Sequence, residues 1–189
     1  MHLIRSLGQN IWPTRPLTPK QKSALFKVKK TKLSPFGTHM MEKRTLSALY
    51  GGLSGSYQKK IQKKAEIFPG KSGENFVFFL EQRLDSMVFR MNICSTFRQA
   101  RQLILHHKVY VNHRCVNIPS YEVQPGDIIR ISPHDSQTFQ TLSRHALSFM
   151  TDHSSKVLPK KPLHLEINYK TFQCIIIFIN VTQIITISN

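Results

Sequence analysis

The chain has 189 residues, enough for one ordinary domain or two small ones, and 27 Lys and Arg against 10 Asp and Glu give it a formal charge of +17. A compact chain so charged repels itself unless a polyanion neutralises it, so nucleic acid is the first partner to consider and an anionic membrane surface the rival. A hydrophobic content of 40% is too high for a purely disordered basic tail.

Three scattered cysteines, Cys94, Cys115 and Cys174, form no CxxC pair, which argues against a disulfide framework and against structural zinc. The histidines are dispersed, and the adjacent His106 and His107 fall on different sides of a helix rather than four apart as metal pairs do. No run of about 18 apolar residues is present to span a membrane.

Residues 1–41 read as a basic extension. Pro13, Pro16, Pro19 and Pro35 exclude one long helix, and Lys27-Val-Lys-Lys-Thr-Lys32 is a basic cluster. Arg5, Arg15, Lys20 and Lys22 all precede the first acidic residue, Glu42, a composition shared by organellar transit peptides and by arms that lie on RNA. Leu25, Phe26, Val28 and Leu33 give such an arm apolar points to dock, so we expect it to order on RNA.

Residues 42–66 read as helical in two pieces, broken at Tyr50-Gly-Gly52, with Ser54 as the second N-cap. Lys59, Lys60, Lys63 and Lys64 line one side of that second piece, which suits a solvated face and a phosphate-facing surface equally. Gly70-Lys-Ser72 lacks the first glycine and spacing of a nucleotide-binding P-loop.

From Glu74 the spacing of Leu80, Leu84, Met87, Val88 and Met91 predicts one amphipathic helix, ended by Asn92. Ser95 is the expected N-cap of the next, Thr96 to His107, whose buried side is Phe97, Ala100, Leu103 and Ile104. Arg98 and Arg101 sit three apart on another face, with Lys108 just past the end. Arg83 and Asp85, two apart on a helix, do not face each other, so each is expected to pair elsewhere, Arg83 in a structural ion pair and Asp85 as an organiser of arginines.

Alternation then predicts a half-buried strand at Val109–Val111, a turn at Asn112-His113, a return strand from Arg114, a second turn at Gln124-Pro-Gly-Asp127 and a strand at Ile128–Ile131. The apolar run from Cys174 to Ile179, broken by Asn180, reads as a buried or edge strand.

Taken together, Leu49-Tyr-Gly-Gly-Leu53, Leu80-Glu-Gln-Arg-Leu-Asp85, Phe89-Arg90, Ala100-Arg-Gln-Leu103, Val111-Asn112, Ile118-Pro-Ser-Tyr121 and Gly126-Asp-Ile128 resemble the bacterial and organellar small-subunit ribosomal protein number four family. The resemblance runs from about Leu46 to Ser132, and His164 to Thr171 looks like the closing segment of mitochondrially encoded members. It implies a protein that binds the 5′ domain of small-subunit ribosomal RNA early in assembly. It also implies a place beside small-subunit protein five, where messenger RNA (mRNA) enters the subunit. Some members carry an N-terminal zinc knuckle, which this chain cannot build without a cysteine before Cys94, and His113 stands where the family usually has glycine. After Lys170 the match fades.

The expected fold class is α+β: a helical N-terminal part, then an RNA-binding module of two short helices packed on a small antiparallel sheet. The expected divisions are 1–41, 42–82, 83–132 and a C-terminal segment 133–189. The chemistry is recognition rather than catalysis, with no cofactor, metal, membrane or small-molecule substrate. Arg98, Arg101, Lys108 and Arg114 are the expected phosphate-gripping face, because a guanidinium fork can engage a phosphate through two donors. Lys59, Lys60, Lys63 and Lys64 form a second tier; Arg83 and Tyr121 are further candidates, Tyr121 as a base-stacking or a strand-edge residue.

The rival class is an RNA pseudouridine synthase, since Arg83-Leu-Asp85 matches the catalytic triplet of those enzymes, or a stand-alone RNA-binding factor. The triplet precedes the module here, however, and the segment beyond Ser132 is too short for a catalytic domain. Abundant Phe and Lys with only 8 Gly, as in A/T-rich organellar genomes, favours the mitochondrion over plastid or bacterium.

Overall fold

The computed structural model describes residues 7–8, 10, 17–26, 34–132, 140–144 and 164–177. The basic cluster 27–32, Arg5, Arg15 and the end of the apolar run, 178–179, lie outside the described residues. By contact the chain divides into two units, Met1–Lys59 and Lys60–Asn189.

In the first unit Pro19 and Pro35 each stand at the start of a helix, so two separate helices form here rather than one long one. Helix α1 (Pro19–Phe26) follows a reciprocal capping box, in which Gln21 N donates to Thr18 Oγ1 and Thr18 N to Gln21 Oε1. Helix α2 (Pro35–Leu49) opens with Pro35 in its first turn, where a missing N–H costs nothing, and Ser34 Oγ accepts from Gly37 N. The first of the two expected helical pieces therefore begins at Pro35 rather than at residue 42, and α1 lies within the expected extension. Gly51 and Gly52 adopt φ of 70° and 84°, and Gly52 N returns to Ser47 O, so the expected break is a glycine-built C-terminus. Ser54 Oγ accepts from Tyr57 N and starts α3 (Gly55–Ile67), as the sequence predicts.

In the second unit the predicted continuous helix from Glu74 to Asn92 is two helices, α4 (Ser72–Glu81) and α5 (Leu84–Arg90). Its apolar stripe is buried throughout, from Leu80 to Met91, so periodicity alone gave no hint of the break. The loop 117–124 makes the interruption. Tyr121 O and Pro119 O accept from Leu84 N and Asp85 N, and Val123 N donates to Gln82 O, so Arg83 is pulled into extended backbone and forms a bridge with Glu122. These backbone groups satisfy N–H groups at the start of α5 that no side chain caps. Asn92 has φ 58°, the left-handed geometry expected of it. Helix α6 (Phe97–Leu105) is capped by Thr96, whose side chain accepts from Gln99 N, one residue later than expected; Ser95 instead donates through N and Oγ to Gln99 Oε1.

Among the described residues the sheet has five antiparallel strands in the order β2-β1-β3-β5-β4: β1 Val109–Val111, β2 Arg114–Cys115, β3 Ile128–Ile131, β4 Leu165–Asn168 and β5 Gln173–Ile176. The C-terminal apolar run thus forms an internal strand, β5, between β3 and β4. Alternation puts Val109, Ile129, Ile131, Leu165, Cys174 and Ile176 on the face that packs with Leu84, Met87, Val88, Leu103 and Ile104 of the helices. The hydrophobic core is shared between the helices, β1, β3 and the C-terminal hairpin, while β2 is exposed at both positions. Asn112 and His113 both have positive φ, 49° and 68°, the type I′ geometry that matches strand twist. Asn112 also fixes the neighbouring turn, donating from Nδ2 to Asp127 Oδ1 and accepting at Oδ1 from Ile128 N.

Candidate nucleic-acid interface

The break between α4 and α5 organises the charged groups. Because Arg83 lies outside the helical register, its guanidinium reaches back to Asp85: Nε donates to Oδ1 at 2.9 Å and NH2 to Oδ2 at 2.8 Å. The sequence expectation that these two would not meet fails here, since the spacing rule holds only when both residues are helical. Arg83 is nonetheless in a structural ion pair, and Asp85 is an organiser of arginines, as expected: its Oδ2 also accepts from Arg101 Nε at 2.8 Å.

The side chain of Asp85 is fully buried, Arg83 nearly so, and Arg101 is 23% exposed. A second buried carboxylate, Glu81, takes Nε and NH2 of Arg90 at 3.1 and 2.7 Å. Sequence reading missed the Glu81–Arg90 pair. It joins the end of one helix to the end of the next, a spacing that no helical rule flags.

Of the expected gripping residues, Arg98 is exposed on α6. Arg101 is half-buried against Asp85, so the two arginines are not equivalent. Arg114 is exposed on the edge strand β2. Lys108 is half-buried between α6 and β1, where its backbone N donates to Leu103 O and its O accepts from Ser132 N. Cys115 Sγ lies 3.5 Å from His107 O and 3.7 Å from His107 Nδ1, which fastens the strand carrying Arg114 to the end of α6.

On α3, Lys59, Lys60, Lys63 and Lys64 are all exposed, opposite the buried Ile61 and Ala65. Lys64 differs from the rest. Its Nζ is 2.7 Å from both carboxylate oxygens of Glu122 and 4.3 Å from the Phe79 ring centroid, so it braces the same loop that caps α5. Tyr121 sits in that loop, 40% exposed, and its carbonyl serves Leu84 N.

Burial pushes the Cys94 thiol up to about 12, which keeps it protonated and unfit as a nucleophile. Asp85, fully buried and committed to two arginines, is unsuited to act on a substrate. The arrangement that these groups build is a pair of buried carboxylates, Asp85 and Glu81, that hold Arg83, Arg101 and Arg90 in fixed hydrogen bonds.

A model of the S4 domain matches residues 82–129, from the end of α4 to β3. The fold and this site therefore define an S4-domain protein. Over 93% of the chain and 88% of the relative, the sequence is 38% identical to small ribosomal subunit protein uS4m of Marchantia polymorpha. It is 35% identical to small ribosomal subunit protein uS4 of Buchnera aphidicola, over 77% of the chain and 66% of that protein. Identity rises to 47% with the uS4 of Aquifex aeolicus, over 54% of the chain and 49% of that protein. The chain belongs to the uS4 family of small-subunit ribosomal proteins.

Proposed function

We propose that this protein is a structural constituent of the small ribosomal subunit that grips ribosomal RNA through Arg98, Arg101, Lys108 and Arg114, with the α3 lysines as a second tier. The observation that carries this reading is the Asp85 carboxylate holding Arg101 against the module while Arg98 stays exposed on the same helix. Side chains so held read backbone position and shape, the features that double-stranded RNA offers when its deep major groove hides the base edges. A pseudouridine synthase would need Asp85 to face its substrate, whereas here the carboxylate is enclosed by its arginines.

The finer assignments extend that reading. Binding to the 5′ domain early in assembly, a place beside small-subunit protein five, and proximity to mRNA where it enters the subunit rest on family membership. The mitochondrial ribosome is the proposed location, supported by the composition and by the mitochondrial designation of the Marchantia relative.

Sedimentation of an organelle lysate through sucrose gradients at several salt concentrations tests the proposal. Co-migration with the small subunit at high salt supports it; free sedimentation at low salt overturns it.

A further inference from the structure

The sheet buries one face against the helices, and its other face carries a hollow. Register places Tyr110, Arg130 and Gln173 side by side across β1, β3 and β5, on the face opposite the core. With His113, Ile128 and Ser132 they line a space of about 310 Å³. That is at the lower end of the range, roughly 300–1,000 Å³, that takes small organic ligands. None of the polar side chains in this set hydrogen-bonds another described residue. Ile128 and its register partner Ile175, 39% and 47% exposed, supply apolar surface beside it. Among the described residues the lining holds a cation, an aromatic ring, an amide and a hydroxyl, and no carboxylate; Glu166 is on the same face but on the edge strand, outside the lining.

We propose that this hollow receives one unpaired ribonucleotide of the bound RNA, its base stacked on Tyr110. Arg130 then meets the phosphate or the second face of the base, and Gln173 and Ser132 supply donors and acceptors to the base edge. A sheet with an outward aromatic and a neighbouring arginine is a stacking platform that accepts any base, because every base has a π-face. A paired base cannot enter, since only bases splayed from loops and bulges expose both a face and an edge. Charge favours this occupant: the chain carries +17, and Arg114 is exposed in the same hairpin. The inference rests on the RNA-binding reading but concerns a different face from the arginines of α6.

The test uses the full chain and two fluorescent RNA hairpins, one with a single bulged adenosine and one fully paired. Wild type should bind the bulged hairpin about tenfold more tightly, and Tyr110→Ile, which keeps a β-branched strand residue, should abolish that preference while holding its affinity for the paired hairpin. A 4-thiouridine placed at the bulge should crosslink, in unaltered protein, to peptides containing Tyr110 or Arg130, a readout independent of whether the variant folds. Equal binding of both hairpins, or crosslinks confined to α6, overturns the hollow and leaves RNA binding standing. Failure to bind either hairpin overturns both.

Discussion

Asp85 Oδ2 accepts a 2.8 Å hydrogen bond from Nε of Arg101, sixteen residues further along the chain, while the same carboxylate is forked by Arg83. Removing one partner of a buried ion pair leaves the others uncompensated, at a cost of about 3–5 kcal/mol. Asp85→Ala should therefore lower stability by that amount in urea unfolding, and RNA affinity should fall with it because Arg101 loses its brace. An Asp85→Ala protein as stable as wild type would refute the network.

Arg98 and Arg101 separate stability from binding. Arg98→Ala touches an exposed side chain, so stability should stay within about 0.5 kcal/mol. Its loss should reduce the salt dependence of RNA binding by a slope of about 0.7–0.9. Arg101→Ala should reduce both binding and the urea midpoint. Anisotropy titrations across salt concentrations check the pair, and two indistinguishable variants would contradict the assigned division.

Among the α3 lysines, Lys60 and Lys63 should each contribute a counterion-release increment to the salt slope if they face phosphates. Lys64→Ala should instead act on the loop 117–124, because its ammonium is held by Glu122 and Phe79. Increased proteolytic cleavage in that loop, with a smaller change in salt slope than Lys63→Ala gives, is the expected outcome.

His113 sits at φ 68°, where a side chain with a Cβ is disfavoured by about 1–2 kcal/mol. His113→Gly removes that strain but adds backbone freedom to the unfolded chain, about 0.5–1 kcal/mol the other way. The net expectation is a gain of about 0–1.5 kcal/mol, read as a higher urea midpoint with an unchanged slope. A lower midpoint would mean the imidazole makes a contribution of its own.

His164 is 4% exposed, and its Nε2 has no hydrogen-bond partner among the described residues. Burial holds its pKa below the usual 6.5, with Glu81 pulling it up and Arg90 pushing it down. The unfolded chain therefore takes up the proton first as pH falls. The stability tied to neutral His164 is intact above pH 6.5, declines as pH drops below that value, and levels off beneath the folded pKa. His164→Leu should flatten this acid-side decline in a series of urea midpoints against pH. Parallel profiles for the two proteins would rule the histidine out.

Much of this protein is determined by local sequence. The glycine break after Tyr50, the Ser54 cap, the left-handed Asn92, the Asn112-His113 hairpin and the inward side of α6 all derive from residues whose backbone or periodic preferences act over a few positions. Family motifs in the same stretch fixed the class of protein. Tertiary structure decided the rest. The apolar stripe from Leu80 to Met91 is continuous, yet the helix breaks at Arg83 because a loop more than thirty residues later supplies carbonyls to Leu84 and Asp85. That break turns Arg83 toward Asp85, and Asp85 then selects Arg101 over Arg98. It took the whole fold to place the C-terminal run beside β3 and to set Tyr110, Arg130 and Gln173 in one row. Hydrogen bonds and ion pairs between distant segments depend on chain closure, and no local propensity encodes which segments will meet.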